Sequence, residues 1–347
     1  MNTFATLLIL FLGATANNSD RFVEFVNRHR NNATSNWHAE LSTRFDYNNQ
    51  HQLLSVLGVS GEILKKNKHF NKFDGSQPET ANVSQANKLL TASLPTSLDL
   101  RAKYPKCWSI GYIRDQAGCG SCWAVSSMTS LSDRYCIKNS NATTLVQRSF
   151  SYEDLLECCN NTVCGSGGNG CNGGYMTGGY SYAQKVGVSS GENYNNYTSC
   201  KPYFLQPGTS ASNAPACRSV CTNTATYKTA YAKDLVKITG YTILAGSTPA
   251  IASSNMIAAL NAAGSIMVYM DVYEDFFTYS SGVYEYTSGA YAGGHAIRII
   301  GYGVANGVNY WLAANSWGVS WGMAGFFQIQ RGVNMVNIES YPIQANL

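Results

Sequence analysis

The sequence predicts an α+β protein whose two halves face each other across a cleft, and three observations carry that prediction. The first is helical apolar spacing up to about residue 245. Trp123, Val125, Met128, Leu131, Tyr135 and Ile137 recur along one stretch, and Glu153–Cys159 and Gly178–Val186 read as two further helices. The second is a change of pattern from about 246 to 340. One helix, Ile251–Ala263, ends there at Gly264, a residue suited to the position after a helix. Runs of β-branched and aromatic residues follow at Ser265–Val272, Gly282–Tyr286, His295–Val304, Asn309–Asn315 and Gly325–Arg331, separated by glycine turns. The third is that all eleven cysteines fall between Cys107 and Cys221, within the helical half. Helices grouped before strands give α+β order, and a cleft between two halves is the default place for a site.

Composition narrows the class. With 347 residues, 45% of them apolar, there is ample chain for a large core. A net charge of +4 is too weak and too evenly spread to imply a nucleic-acid partner. Charged residues are only 13%, so Asn, Ser, Thr and 23 Tyr supply the polarity, as on a secreted surface. Thr3–Leu12 is apolar and is followed by Ala14-Thr15-Ala16, which reads as a signal peptide over 1–16. That run falls short of the roughly 20 residues a membrane span needs, and no later stretch is long enough. Sequons at Asn17, Asn32, Asn82, Asn141, Asn160 and Asn196 fit the same secretory route.

Residues 17–93 differ from the rest: they hold no cysteine but four of the five histidines. Asp20 is placed to cap a short amphipathic helix carrying Phe22, Val23, Phe25 and Val26. Leu53, Leu54, Val56, Leu57 and Val59 form a second apolar cluster, and Asn71–Ser93 turns polar and linker-like. The segment reads as one that packs on the body, 94–347, and ends in a cleavable linker.

The chemistry centres on Asp115-Gln116-Ala117-Gly118-Cys119-Gly120-Ser121-Cys122-Trp123. A cysteine at a helix start meets unpaired N–H groups and the positive dipole end, which favour a nucleophilic thiolate. Its base has one source in the body, because His295 is the only histidine after Leu94. A histidine base needs an orienting acceptor, and Asn315, at the end of the next predicted strand, can return alongside it. Trp317 can then cover the pair. Gly165–Gly170 matches a nucleotide-binding glycine pattern but lacks the strand before it and the helix after it. Cys158, Cys159, Cys164 and Cys171 are set against zinc by the oxidising compartment, which favours disulfides. No metal or cofactor is expected.

These motifs, with Cys171-Asn172-Gly173-Gly174-Tyr175, Cys200-Lys201-Pro202-Tyr203, Gly293–Gly301 and Asn315-Ser316-Trp317, resemble those of the papain-like cysteine peptidases, and specifically the cathepsin B group. The resemblance runs from Leu94 to the end and, more loosely, over Asp20–Leu57. It implies a papain-like two-domain fold, with a helical left domain, a β-barrel-like right domain and the active-site cleft between them. It implies Cys122 as nucleophile, His295 as base and later acid, Asn315 as orienting group, and Gln116 with the Cys122 N–H as oxyanion hole. Gly173, Gly174, Tyr175, Met176, Gly294, Ala296, Trp317 and Tyr341 are implied as the substrate-binding set. The implied disulfides are Cys107–Cys136, Cys119–Cys171, Cys158–Cys217, Cys159–Cys164 and Cys200–Cys221, which leave Cys122 free.

The activity so implied is that of a cysteine endopeptidase made as a zymogen in the secretory pathway, for a lysosome- or vacuole-like compartment or for secretion. Peptidyl-dipeptidase action and peptide ligation on the same site are the alternatives. Implied partners are peptide and protein substrates, the chain's own pro-segment and cystatin-like inhibitors, with the protein a monomer. Two departures from cathepsin B stand out. Tyr341 takes the place of an acid that accepts arginine two residues before the scissile bond (P2), so Phe, Leu or Val is expected there. Pro202–Ala216, where cathepsin B has an occluding loop, lacks charge and histidine, and Gly208–Ser210 reads as a mobile loop leaving the primed side open.

Overall fold

The computed structural model describes residues 16–29, 37–47, 49–59 and 94–347, apart from 142, 165–167 and 197. Apart from Ala16, the signal peptide expected over 1–16 lies outside the described residues, as do the linker expected from Asn71 to Ser93 and part of the glycine run after Cys164.

Six helices matter here: α1 (Ala16–His29), α2 (Gln50–Ser55), α3 (Cys122–Asn139), α4 (Tyr152–Cys158), α5 (Gly178–Lys185) and α6 (Pro249–Ala263). The strands are β1 (His38–Ala39), β2 (Leu98–Asp99), β3 (Gly240–Ile243), β4 (Ile266–Tyr273) and β5 (Tyr279–Ser281). They continue with β6 (Val283–Tyr284), β7 (Tyr291–Ala305), β8 (Val308–Ala314), β9 (Phe326–Gln330) and β10 (Ile343–Asn346). An eight-stranded sheet runs β3-β10-β4-β7-β8-β9-β6, with β2 added against β7. The sheet thus recruits β2, β3 and β10 from outside the 246–340 stretch.

Local chemistry explains the boundaries. The Ser151 side chain accepts from Asp154 N at the start of α4, and Thr248 accepts from Ile251 N at the start of α6. Gly264, at φ 102°, ends α6 in a conformation that glycine adopts freely. α1 begins at Ala16, so Asp20 lies inside the helix and does not cap it as the sequence had suggested. The cap on this part of the chain is instead Asn49, whose side chain accepts from Gln52 N at the start of α2.

α3 is buried along most of its length, so its polar residues must find partners inside. Ser126 Oγ donates to Ala296 O of β7 at 2.7 Å. Asp133 pairs with Arg298 of β7 at 2.6 Å and accepts from the hydroxyls of Ser109 and Ser265, each at 2.7 Å. A buried pair with these extra hydrogen bonds sets how the helix sits on the strand. Disulfides join Cys107–Cys136, Cys119–Cys171, Cys158–Cys217, Cys159–Cys164 and Cys200–Cys221, and Cys122 remains free.

The N-terminal segment packs on the second half through aromatic rings. β1 pairs antiparallel with β5, and Glu40 N donates to Thr278 O at 2.7 Å. Trp37, fully buried, lies 5.2 Å from Tyr284 and 6.3 Å from Tyr279 between ring centroids. Phe45 meets Trp317 edge-on at 5.3 Å, and Tyr47 donates its hydroxyl to Phe277 O at 3.0 Å. Replacing Trp37 by alanine is therefore expected to weaken this docking by as much as about 3–5 kcal/mol, the usual cost of removing a buried tryptophan. Faster limited proteolysis of the N-terminal segment in the full-length W37A chain would show it; an unchanged rate would contradict the packing account.

Candidate active site

Cys122 opens α3, fully buried at the boundary between the two halves. His295 lies on β7, and the β7–β8 register pairs Arg298 with Ala314. The chain leaving β8 therefore returns Asn315 to His295, with Nε2 to Oδ1 at 2.8 Å. Asn315 Oδ1 also accepts from Ser316 N at 2.8 Å, which fixes the amide with its oxygen toward the ring. An amide oxygen can only accept, so Nε2 carries the proton and Nδ1 keeps a lone pair. Trp317 lies over the imidazole at 4.8 Å between centroids.

Gln116 sits under the same turn. Its Oε1 accepts from Ser316 Oγ at 2.5 Å, and its backbone N–H donates to Ser316 O at 2.9 Å. With the oxygen so held, Nε2 points the other way, donating to Cys119 O at 2.8 Å and to Val56 O at 2.9 Å. Tyr203 braces this loop by donating to Gln116 O at 2.8 Å while its oxygen lies 3.0 Å from Ser121 Oγ.

The N-terminal segment fills the cleft. Gly174 N donates to Gly58 O at 2.9 Å, and Val59 N donates to Gly294 O at 3.2 Å, so the segment bridges both walls. Gly174 has to be glycine, because a Cβ there would lie 2.5 Å from the Trp123 ring. Gly58 is as tightly fitted, with a Cβ position only 1.9 Å from Gly120 O. Arg44 of the same segment donates to Trp317 O at 2.9 Å and pairs with Asp115 at 3.0 Å.

This cover governs protonation. Burial pushes the Cys122 thiol up to about 11, although the N–H groups of Ala296, Gly58, Trp123 and Cys122 itself turn toward the sulfur and oppose the shift. Burial likewise holds His295 down to about 4, against the hydrogen bond to Asn315. The covered site therefore holds a thiol and a neutral imidazole. The helix start that favours a thiolate is outweighed by loss of water.

Among the other residues singled out from sequence, Met176 and Ala296 belong to one buried apolar cluster, with Tyr341 packed on its edge. Burial and the neighbouring Tyr241 push the Tyr341 phenol up to about 12. Tyr175 is half-buried and outside that cluster. Gly173 and Gly174 line the segment's path, as does Gly294 across the cleft. The loop after Pro202 is stitched down, contrary to its reading as mobile: Gly118 N donates to Thr209 O at 2.8 Å, and Ala211 N donates to Gly118 O at 3.0 Å. Sequence reasoning missed Arg44, Ser316 and Tyr203. Only Ser316 and Tyr203 carried any signal, since both lie inside motifs quoted for other reasons. Among the described residues no group of three or more His, Cys, Asp or Glu is arranged to hold a metal, and no helix is long and apolar enough to cross a membrane.

Comparison with known proteins follows this geometry. Residues 94–346 match the family model described as papain family cysteine protease. A gut-specific cysteine proteinase of Caenorhabditis elegans is 41% identical over 80% of this chain and 82% of its own length. Cathepsin B-like cysteine proteinase 4 of the same organism is 42% identical over 71% of this chain and 73% of its own. Among solved structures, procathepsin B S9 of Trypanosoma congolense superposes with a TM-score of 0.73 at 27% identity, covering 96% of this chain and 98% of that one. Digestive procathepsin L 3 of Tenebrio molitor, at 19% identity and a TM-score of 0.66, shares the fold. The chain belongs to the papain family of cysteine proteases and is a cathepsin B-like cysteine peptidase.

Proposed function

We propose that the protein is a zymogen of a cysteine endopeptidase, in which residues 17–93 are a propeptide that blocks the cleft of a body spanning 94–347. The observation that carries this reading is a single free thiol at a helix start, facing the backbone of Ala296 next to His295, whose Nε2 is tied to an amide oxygen. Once uncovered, Cys122 attacks the scissile carbonyl carbon as His295 Nδ1 takes the thiol proton. The new C–S bond leaves negative charge on the carbonyl oxygen, which the Gln116 side-chain amide and the Cys122 N–H receive. Collapse expels the amine, protonated by His295, and leaves an acyl-enzyme. Water then attacks that thioester with His295 again acting as base, the C–S bond breaks to release the acid product, and the proton returns from His295 to the Cys122 sulfur. Val56 O on Gln116 Nε2 supports this assignment, because a propeptide carbonyl already rests on the donor meant for the substrate oxygen.

The same bridges support latency, since a segment tied to both Gly174 and Gly294 denies a substrate strand its partners. Gly173, Tyr175, Met176, Ala296, Trp317 and Tyr341 complete the proposed substrate-binding set around them. Five disulfides support folding in an oxidising, secretory compartment. The loop from Pro202 to Ala216 has no Lys, Arg or His to receive a substrate's terminal carboxylate. An unpaired carboxylate there would lose hydration without gain, which favours internal cleavage and leaves the primed side open to cystatin-like inhibitors.

Three outcomes are expected. Gln116→Ala in the matured enzyme should lower kcat by about 10²–10³-fold with little change in KM, as loss of one oxyanion donor does. Unchanged kcat would remove Gln116 from the mechanism. In the intact precursor, iodoacetamide should modify Cys122 slowly until the pH approaches about 11. Removing the segment should bring the reaction well below the ordinary cysteine pKa of about 8.5. Equal pH profiles before and after removal would refute the account of latency. Digestion of a long peptide with a free C-terminus should give internal cuts indifferent to C-terminal amidation; a ladder of dipeptide losses abolished by amidation would establish dipeptidase action instead.

A further inference from the structure

Tyr341 deprives the P2 pocket of the acid found in cathepsin B, yet the fold brings a carboxylate to this wall from another strand. Asp271 stands on β4 opposite Gly294 of β7, the residue to which the cleft-bound Val59 donates. A Cβ built on Gly294 would lie 2.8 Å from both the Tyr269 ring and Val59 O, so Tyr269 flanks the chain in the cleft. Tyr269 donates its hydroxyl to Asp271 Oδ1 at 2.5 Å, and Asn337 Nδ2 donates to Asp271 Oδ2 at 2.5 Å. Both donors are neutral. Among the described residues no Lys, Arg or His forms an ion pair with Asp271, although it is only 7% exposed.

The surroundings share this character. No Lys or Arg stands between Lys237 and Arg298, whereas Asp271, Glu274, Asp275 and Glu285 do. Tyr273 and Tyr291 meet edge-on at 5.9 Å between ring centroids, and Tyr291 is half exposed. A buried anion satisfied only by neutral donors keeps a field that a cation can use, and phenol rings receive cations on their faces. We propose that Asp271, presented through Tyr269, is a specificity-determining residue that makes this wall accept arginine or lysine at P2. The proposal rests on the peptidase reading and replaces the apolar preference that Tyr341 alone implies. Val59, which fills the position between Gly174 and Gly294 in the precursor, is uncharged, so propeptide departure is what exposes this wall to a cationic side chain.

The test compares kcat/KM of the matured enzyme on three fluorogenic dipeptide substrates with arginine at P1 and arginine, citrulline or phenylalanine at P2. Citrulline keeps the shape of arginine without its charge. Arginine should exceed citrulline by about tenfold or more, the usual value of a charge-assisted hydrogen bond. In Asp271→Asn that ratio should collapse toward one, and Asp271→Glu should recover part of it. Because each ratio comes from a single preparation, it is independent of the fraction of enzyme folded. Equal turnover of arginine and citrulline by the unaltered enzyme would overturn the proposal even if the variants fail to fold, as would an unchanged ratio in Asp271→Asn. Failure to cleave any of the three, phenylalanine included, would instead overturn the peptidase reading itself.

Discussion

The site depends on one turn, Asn315 to Gly318, and on the packing of Trp317 within it. The indole lies against His295 on one side and stacks on Phe277 at 5.4 Å, with Phe276 at 5.6 Å and Trp321 at 5.0 Å around it. Aromatic contacts of this kind bury large areas with defined geometry, so they can hold a turn that has no regular structure of its own. The turn also crosses to the other half. Trp317 pairs with Asp115, Gly318 N donates to Arg114 O at 3.1 Å, and Ser316 bonds Gln116 by both side chain and backbone. One turn thus orients the imidazole and aims the Gln116 amide, although the two come from opposite halves of the molecule.

The same turn is where the N-terminal segment docks. Phe45 joins the aromatic cluster and Arg44 caps the Trp317 carbonyl while pairing with Asp115. From there the segment rises into the cleft and seals Cys122 and His295 from water. A thiolate and an imidazolium stabilise each other only if their combined desolvation is repaid. Under the segment it is not, so both groups are held neutral. Exclusion of water is enough to keep the Cys122 thiol and the His295 imidazole uncharged.

Buried polar groups do similar service away from the site. Lys201, with no side-chain exposure, bonds Asp154 at 2.8 Å and Glu157 at 2.9 Å, and so anchors the start of the loop that carries Tyr203. Burial and the Glu157 charge nearby raise Glu153 to about 8, so it holds its proton at neutral pH. Such networks fix how the irregular loops of the helical half sit on α3 and α4, where hydrophobic packing alone would tolerate sliding.

The sequence by itself determined the α+β order and most strand positions, and it singled out the cysteine, histidine and asparagine proposed here as nucleophile, base and orienting group. Those features rest on local patterns: period-two runs, a cysteine at a helix start, and a single histidine in the body. Tertiary structure alone decided three things. Asp20 looked like a cap, but α1 extends a turn beyond it, and helix ends are set by packing as much as by composition. Gly208 to Ser210 read as free because small polar residues usually are, yet backbone bonds to Gly118 hold them, and backbone pairing leaves no mark on side-chain identity. Asp271 and Gly294 stand 23 positions apart in the chain, and only the β4–β7 register puts a carboxylate beside the path of the N-terminal segment at Gly294. Pairing between distant strands is fixed by the whole core rather than by either strand, so no reading of one segment at a time could have reached it.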